Sequence, residues 1–247
     1  MWNRAERDVD SLVRLFKKYG ISKSSRILEI GCGNGRILIN LAKKGFKNLS
    51  GIDISPAFIE DAKRKMSIHN VSDINFYIGD VRTLDKLFKE DEFDVILSVW
   101  TSILGYYDSK TDKEILYKCW KIASEDGYLM FVNTANRDFI TNLRSLGCRG
   151  PFYSDYGDFA IIEETNFDYV SSHTNTRWLF YEKLEDGSLK FIDKVEIKLR
   201  LYSIHEVIEM AESVGWSFID AFRSLDMLDT FLPTLSPLNM VFKKMEK

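Results

Sequence analysis

A short apolar run that leads directly into three alternating glycines limits the folds open to this chain more than any other feature. The run occupies residues 26–30, and the glycines are Gly31, Gly33 and Gly35. Glycine lets the backbone turn tightly and lets a ligand approach with no Cβ in the way. A helix is predicted next, at about 35–44, and its first N–H groups have no partners within it. The segment therefore predicts a strand, a ligand-binding turn and a helix.

Apolar strands and helices alternate along roughly the first half of the chain. The strands that follow the first are predicted at 49–54, 74–78, 93–98 and 128–132. They are continuously apolar, which is typical of a parallel sheet covered by helices on both faces. Two more strands are predicted near 216–223 and 238–243. The predicted fold class is therefore α/β.

The pattern changes after residue 150, where long segments mix polar with β-branched and aromatic residues. These segments lie at 159–169, 174–185 and 188–200. Between the last two, Asp186-Gly187 is a strong signal for a type I′ hairpin turn. We predict an antiparallel insertion of two or three strands at 151–200. The main domain is then formed by 1–150 and 201–247.

The charge balance and the cysteine and histidine counts exclude several classes of protein. The 247 residues carry 34 Lys and Arg against 37 Asp and Glu, whereas a strong phosphate binder would be more basic. Three cysteines and three histidines show neither a disulfide framework nor metal-ligand spacing, so no metal is expected. No apolar stretch is long enough to span a membrane, and the charged N-terminus lacks a signal-peptide pattern. We expect a cytoplasmic protein.

Acidic or polar residues end three further predicted strands. Asp53 ends the second, where a carboxylate can accept hydrogen bonds from both hydroxyls of a ribose, or could merely cap the next helix. Asp80 ends the third, where it can accept from an adenine amine while the Val81 N–H serves the ring. Ser98 and Trp100 end the fourth. Because open α/β sheets bind ligands at the carboxyl ends of their strands, we expect one site there.

Two ligand classes use a glycine-rich turn of this kind, dinucleotides and S-adenosylmethionine. A dinucleotide motif requires glycine at the sixth place counted from Gly31, and that place is Arg36. The chain instead reads Glu-x-Gly-x-Gly-x-Gly from Glu29. With the acidic strand ends, this pattern favours S-adenosylmethionine.

On these motifs the chain resembles the class I S-adenosylmethionine-dependent methyltransferases. Residues 27–36 resemble the family's first motif, 51–55 its acidic second-strand motif, and 79–81 and 94–98 two later motifs. The resemblance covers about residues 25–133 and implies a Rossmann-like, doubly wound sheet of seven strands, mostly parallel with an antiparallel last strand. S-adenosyl-L-methionine would be the cofactor and S-adenosyl-L-homocysteine the product.

The resemblance also implies roles for individual residues. Asp53 would bind the ribose and Asp80 the adenine, while the backbone of the glycine turn would follow the methionine part. Glu29 would steer that turn or the methionine amine. The implied cofactor residues are Glu29, Gly31, Cys32, Gly33, Gly35, Asp53, Ile54, Asp80, Val81, Ser98 and Trp100.

A looser resemblance extends into the second half of the chain. It rests on Arg177-Trp178, 200–203 and Gly215-Trp216. These segments are similar to methyltransferases whose antiparallel insertion covers the substrate pocket, so the insertion would be a substrate lid. Arg177 and Arg200 could bind a carboxylate of the substrate, or could pair with Asp168 and other acids of the insertion.

The methyl acceptor is predicted by elimination. Methyltransferases of base amino groups carry an Asn/Asp-Pro-Pro-aromatic turn after the fourth strand, and this chain reads Ser-Val-Trp-Thr at 98–101. Methylation of cytosine C5 needs a thiolate, and neither Cys119 nor Cys148 has the expected setting. We therefore predict in-line transfer to a nitrogen or oxygen of a small molecule. An RNA or protein methyltransferase and a non-catalytic S-adenosylmethionine-binding regulatory module are the alternatives.

The chemistry requires no particular residue type, so the catalytic candidates are few. Tyr106 and Tyr107 could order a nucleophile or could simply pack against the insertion. His173 could be a general base if the insertion folds over the pocket, or could be a solvated turn residue. We expect the protein to bind a small-molecule acceptor and neither a membrane nor a nucleic acid. The sequence is compatible with a homodimer.

Overall fold

The structure is a computed structural model that describes residues 2–245, so the outermost positions of the predicted main domain, 1, 246 and 247, lie outside the described residues. Its strands, in chain order, are β1 (Arg26–Ile30), β2 (Asn48–Asp53), β3 (Ile74–Ile78), β4 (Phe93–Val99), β5 (Ala123–Thr134), β6 (Phe152–Asp155), β7 (Phe159–Asp168), β8 (His173–Lys183), β9 (Leu189–Arg200), β10 (Trp216–Ala221) and β11 (Leu238–Lys244). Its α-helices are α1 (Trp2–Lys18), α2 (Arg36–Lys43), α3 (Pro56–Ile68), α4 (Leu84–Leu87), α5 (Ser109–Ile122), α6 (Arg137–Ser145) and α7 (Ile204–Glu212).

The larger of two sheets has seven strands in the order β10-β11-β5-β4-β1-β2-β3. The neighbours from β5 to β3 run parallel, and β11 is antiparallel to both β5 and β10. The predicted fold, a mostly parallel seven-stranded sheet with an antiparallel last strand, is confirmed. The strand order reverses at β1, which lies between β2 and β4, and open α/β sheets bind ligands at such a reversal.

Both faces of this sheet are buried, which explains why its strands are continuously apolar. Along β1, Leu28 and Ile30 belong to the apolar cluster that contains α5 and α7, whereas Ile27 belongs to the cluster that contains α1 and α2. None of the three has exposed surface. With helices on both faces, the edge formed by the carboxyl ends of the strands remains for ligands.

The smaller sheet is antiparallel throughout, in the order β6-β7-β8-β9. It confirms the expected antiparallel insertion but has one strand more than the three predicted segments. The additional strand is β6, whose four exposed residues are too few to show a pattern. Helix α6 was not predicted either, although Phe139, Ile140 and Leu143 have the spacing of one helix face.

The turn between β8 and β9 differs from the predicted type I′. That type needs positive φ at both central residues, and of Asp186 and Gly187 only the glycine has it, at 83°. The N–H of Gly187 donates to Leu184 (2.9 Å), and the N–H of Leu184 donates to Ser188 (3.0 Å). The hairpin is therefore closed by a longer loop with one left-handed glycine.

Apolar and polar contacts join the two sheets near α6. Phe167 and Leu199 of the smaller sheet pack with Leu201 against Ile140 of this helix. From the same helix, the guanidinium of Arg144 donates to the backbone oxygen of Thr165 (2.6 Å). None of the described helices is both long and apolar enough to cross a membrane.

Candidate active site

A cavity of about 370 Å³ lies at the carboxyl ends of β1, β2 and β3, beside the loop that follows β4. Its walls are Gly31, Asp53, Ile54, Gly79, Asp80, Val81, Ser102, Ile103, Tyr106 and Tyr107. Asp53 ends β2, and Gly31, Ile54 and Gly79 come directly after β1, β2 and β3, so the parallel sheet brings them to one edge. The predicted ligand site at this edge therefore corresponds to a cavity in the structure.

The glycine turn forms the floor of this cavity at Gly31. Gly31 has a φ of 67°, and a Cβ at this position would lie 2.7 Å from the Cβ of Ser102. The turn is held to β2, because the N–H of Cys32 donates to the backbone oxygen of Ile52 (3.0 Å). Gly35 faces the side chain of Phe76 instead of the cavity. Of the predicted turn residues, only Gly31 lines the cavity.

The carboxylate of Asp53 is oriented by two backbone donors. Its Oδ2 accepts from the N–H of Gly33 (2.8 Å) and its Oδ1 from the N–H of Ser55 (2.9 Å). A carboxylate oxygen can accept more than one hydrogen bond, so both oxygens can still accept from ribose hydroxyls. The capping alternative is also partly correct, since Asp53 binds the N–H of the residue that caps α3.

Asp80 is paired with a neighbour that the sequence motif did not indicate. Its carboxylate accepts from the backbone N–H of Arg82 (2.8 Å) and from the Nε of the same residue (2.9 Å). The hydrogen bonds from this guanidinium lower the pKa of Asp80. Arg82 also lies over the ring of Tyr107, 4.7 Å from its centroid. An adenine amine at Asp80 would therefore share the carboxylate with Arg82.

Glu29 lies beneath the turn, and only 3% of it is exposed. Its Oε2 has no hydrogen-bond partner in the part of the chain that the structure describes. Burial raises the pKa of Glu29 to about 8, although the positive charge of Arg36 acts in the opposite direction. Glu29 is absent from the walls of the cavity, so any effect on a ligand passes through the turn.

The loop after β4 turns sharply at Trp100. This residue has a φ of 62°, which is unusual for a bulky side chain. Its N–H donates to Val132 (2.6 Å), and its ring lies 3.8 Å from the guanidinium carbon of Arg36. The turn sends the following residues back over the cavity, where the hydroxyl of Tyr106 donates to the backbone oxygen of Thr101 (3.1 Å).

S-adenosylmethionine fits the groups that this cavity presents. The backbone at Gly31 carries no side chain, Asp53 offers two oriented acceptors for a ribose, and Asp80 with Val81 offers an acceptor and a backbone N–H for adenine. A family model described as a methyltransferase domain matches residues 21–184, which is more than half of the chain. The chain belongs to this family of S-adenosylmethionine-dependent methyltransferases.

Solved structures of methyltransferases share this fold along nearly the whole chain. A Clostridium acetobutylicum S-adenosylmethionine-dependent methyltransferase superposes with a TM-score of 0.78 and 18% identity, over 96% of this chain and 90% of that one. An S-adenosylmethionine-bound amino pentose methyltransferase from Micromonospora echinaspora superposes with a TM-score of 0.68 and 14% identity, over 99% and 92%. Such distant similarity shows the fold and is consistent with the assigned cofactor.

Among curated proteins, the mouse EEF1A lysine methyltransferase 2 is 36% identical over 75 residues. This match covers 30% of the chain and 31% of the relative, and a putative Geobacillus methyltransferase is matched over 44% of its length. The chain thus spans less than half the length of these curated relatives.

Other predicted site residues lie away from the cavity walls. Ser98 is only 1% exposed, because β4 is a central strand between β1 and β5 with apolar clusters packed on both faces of the sheet. Trp100 packs beside Arg36 and is not a wall residue. The walls also include Gly79, Ser102 and Ile103, which were not predicted as individual cofactor residues. Gly79 directly follows β3, and Ser102 and Ile103 lie in the loop after β4, so their position after a strand was the signal that could have identified them.

The insertion residues that were candidates for catalysis or substrate binding lie outside the cavity walls as well. The Nε of Arg177 donates to Glu164 across the smaller sheet (2.8 Å), and Arg200 donates to Glu206 of α7 (3.0 Å). Neither pairs with Asp168, whose carboxylate instead accepts from Ser171. The Nδ1 of His173 is buried and has no hydrogen-bond partner within residues 2–245.

We expect Asp53→Asn to weaken binding of S-adenosylhomocysteine about ten- to a hundredfold, because a hydrogen bond to a charged group contributes about 1.5–3 kcal/mol. Isothermal titration calorimetry measures the change, and Asp61→Asn is the control because Asp61 pairs with Arg64 and Lys65 along the surface of α3. Equal affinities for the two variants would mean that the ribose lies elsewhere.

We also expect Glu29→Gln to flatten the pH dependence of stability. Because the folded-state pKa of about 8 exceeds the usual value of 4.5, the folded protein binds more protons than the unfolded chain between these values. Wild-type stability should therefore fall relative to the variant as pH rises through this window, by up to about 1.4 kcal/mol for each pH unit.

Denaturant unfolding between pH 5 and 8 tests this expectation. Glu60→Gln is the matched control, since Glu60 is exposed on α3. Parallel stability curves for the wild type and Glu29→Gln would contradict it.

Proposed function

We propose that the protein transfers the methyl group of S-adenosylmethionine to a nitrogen or oxygen atom of a small molecule. The cofactor supplies an activated methyl group on a sulfonium, and the acceptor displaces it in line, so that S-adenosylhomocysteine and a proton leave. The protein's part is to hold the two reactants in line and to keep water out.

The observation that carries this proposal is the contact between the cavity's aromatic wall and the smaller sheet. The N–H of Arg200, the last residue of β9, donates to the backbone oxygen of Gly105 (2.9 Å). Gly105 directly precedes Tyr106 and Tyr107, which line the cavity. The base of the inserted sheet therefore adjoins the site, an arrangement that suits a small acceptor better than an extended polymer.

The two tyrosines support an acceptor with an amine or hydroxyl group. Burial is the main factor that raises the pKa of both Tyr106 and Tyr107, so the phenols stay protonated near neutral pH. A protonated phenol cannot remove a proton, but its oxygen can accept from the N–H or O–H of the acceptor, and the ring face can contact a cationic amine. The name of the amino pentose methyltransferase agrees with such an acceptor.

A protein acceptor is the second candidate. It is favoured by the name of the mouse relative, a lysine methyltransferase, although that match covers only 30% of the chain. A lysine amine presents the same chemistry as a small amine, so the two candidates differ in what surrounds the acceptor nitrogen.

A transfer assay with methyl-labelled S-adenosylmethionine distinguishes these acceptors. We expect the label in small molecules when the protein is offered aminosugars, amines and metabolite extract, and no incorporation into protein or RNA. Label in the protein fraction would favour the second candidate instead. Cofactor binding without transfer to any pool would indicate a regulatory module.

We expect Tyr106→Phe to lower turnover with the acceptor found in this assay by about ten- to a hundredfold, because it removes the phenol oxygen that accepts from the nucleophile and orders it. Affinity for S-adenosylhomocysteine should stay within about twofold, since the ring remains. Tyr169→Phe is the control, because Tyr169 is an exposed tyrosine of the insertion. Unchanged turnover would show that Tyr106 only packs.

A further inference from the structure

A buried carboxylate lies behind the aromatic wall of the cavity. Asp112, in the first turn of α5, has no exposed surface. Its Oδ2 accepts two hydrogen bonds, from the N–H of Gly105 (2.9 Å) and from the hydroxyl of Tyr202 (2.7 Å). Its Oδ1 has no partner among the described residues. Burying such a group is costly, so its position calls for a reason beyond packing.

The two donors to Asp112 come from different parts of the fold. Gly105 belongs to the loop whose next two residues, Tyr106 and Tyr107, form a wall of the cofactor cavity. Tyr202 follows the end of β9 by two residues and so lies where the chain leaves the smaller sheet. One carboxylate oxygen thus connects the cavity wall to the exit of the insertion.

The backbone of the loop at Gly105 packs directly against the backbone at the end of β9. Gly105 has a φ of 87°, and a Cβ there would overlap the backbone oxygen of Arg200. The N–H of Leu201 donates to Ser172 (2.8 Å) beside the first residue of β8. A movement of the loop at Gly105 must therefore move the ends of β8 and β9, or break these contacts.

We propose that Asp112 is a positioning residue that couples the cofactor cavity to the inserted sheet through Gly105 and Tyr202. This coupling rests on the proposed function, because the cavity must hold the cofactor. When the cofactor occupies the cavity, its contact with Tyr106 and Tyr107 makes the loop less mobile. Because Asp112 binds both this loop and Tyr202, the base of the smaller sheet becomes less mobile as well. The insertion therefore adopts the position that binds the acceptor only when the cofactor is present.

Hydrogen–deuterium exchange with and without S-adenosylhomocysteine tests the coupling. In the wild type we expect the ligand to slow exchange of amides at 100–107 and, about tenfold, at the sheet base near 173–176 and 198–202. In Tyr202→Phe we expect the slowing at 100–107 to remain and that at the sheet base to be several-fold weaker, because only the backbone bond between Gly105 and Arg200 still joins the two parts. Asp112→Asn, which keeps one acceptor oxygen, should restore most of the effect that Asp112→Ala removes.

The matched control is Tyr19→Phe, which removes a tyrosine hydroxyl that donates to Asp220 (3.2 Å) between α1 and β10. It should behave as the wild type. If Tyr202→Phe transmits the effect as well as Tyr19→Phe, or if the wild-type sheet base does not respond to bound ligand, this coupling is wrong while the proposed function stands. Absence of ligand binding by the wild type would overturn both.

Discussion

The site depends on how the turn after β1 is bound to the end of β2. In the parallel register Ile30 lies opposite Ile52, so the turn must pass over the end of the neighbouring strand. There the N–H of Cys32 donates to Ile52 and that of Gly33 to the carboxylate of Asp53. These bonds place the turn and orient the carboxylate together, so neither can move alone. A parallel strand pair with a glycine turn thus produces both the floor of the cavity and the carboxylate that we propose as the ribose acceptor.

The opposite wall depends on a strained residue that its neighbours hold in place. Trp100 adopts positive φ at the end of β4, a conformation that costs free energy and needs support. That support comes from β5. The backbone oxygen of Val132 accepts from the N–H of Trp100, and the hydroxyl of Thr134 donates to the backbone oxygen of Trp100 (3.0 Å). Without the reversal, the chain would continue outward from β4 and leave the cavity open on the side where Tyr106 now lies.

The sequence predicted the strands that continuous apolar runs mark and residues at the carboxyl ends of those strands, such as Asp53 and Asp80. It misplaced Ser98, because a sequence pattern does not show which residues of a central strand the layers on its two faces bury. Helix α6 has apolar residues at helical spacing, but its nine residues are too few for a clear pattern. Contacts between distant residues were also out of reach, since Asp112 and Tyr202 are 90 positions apart and no local pattern marks their contact.

Two buried carboxylates, Glu29 and Asp112, lie next to the segments that form the cavity. Glu29 stands beneath the turn, and its raised pKa lets it bind a proton near neutral pH. Burial raises the pKa of Asp112 as well, although the hydrogen bonds that one of its oxygens accepts from Tyr202 and Gly105 act in the opposite direction. Apolar residues at either position would be less costly in a simple core. Their placement beneath the cofactor turn and behind the aromatic loop therefore argues that the fold retains this cost for the geometry of the site.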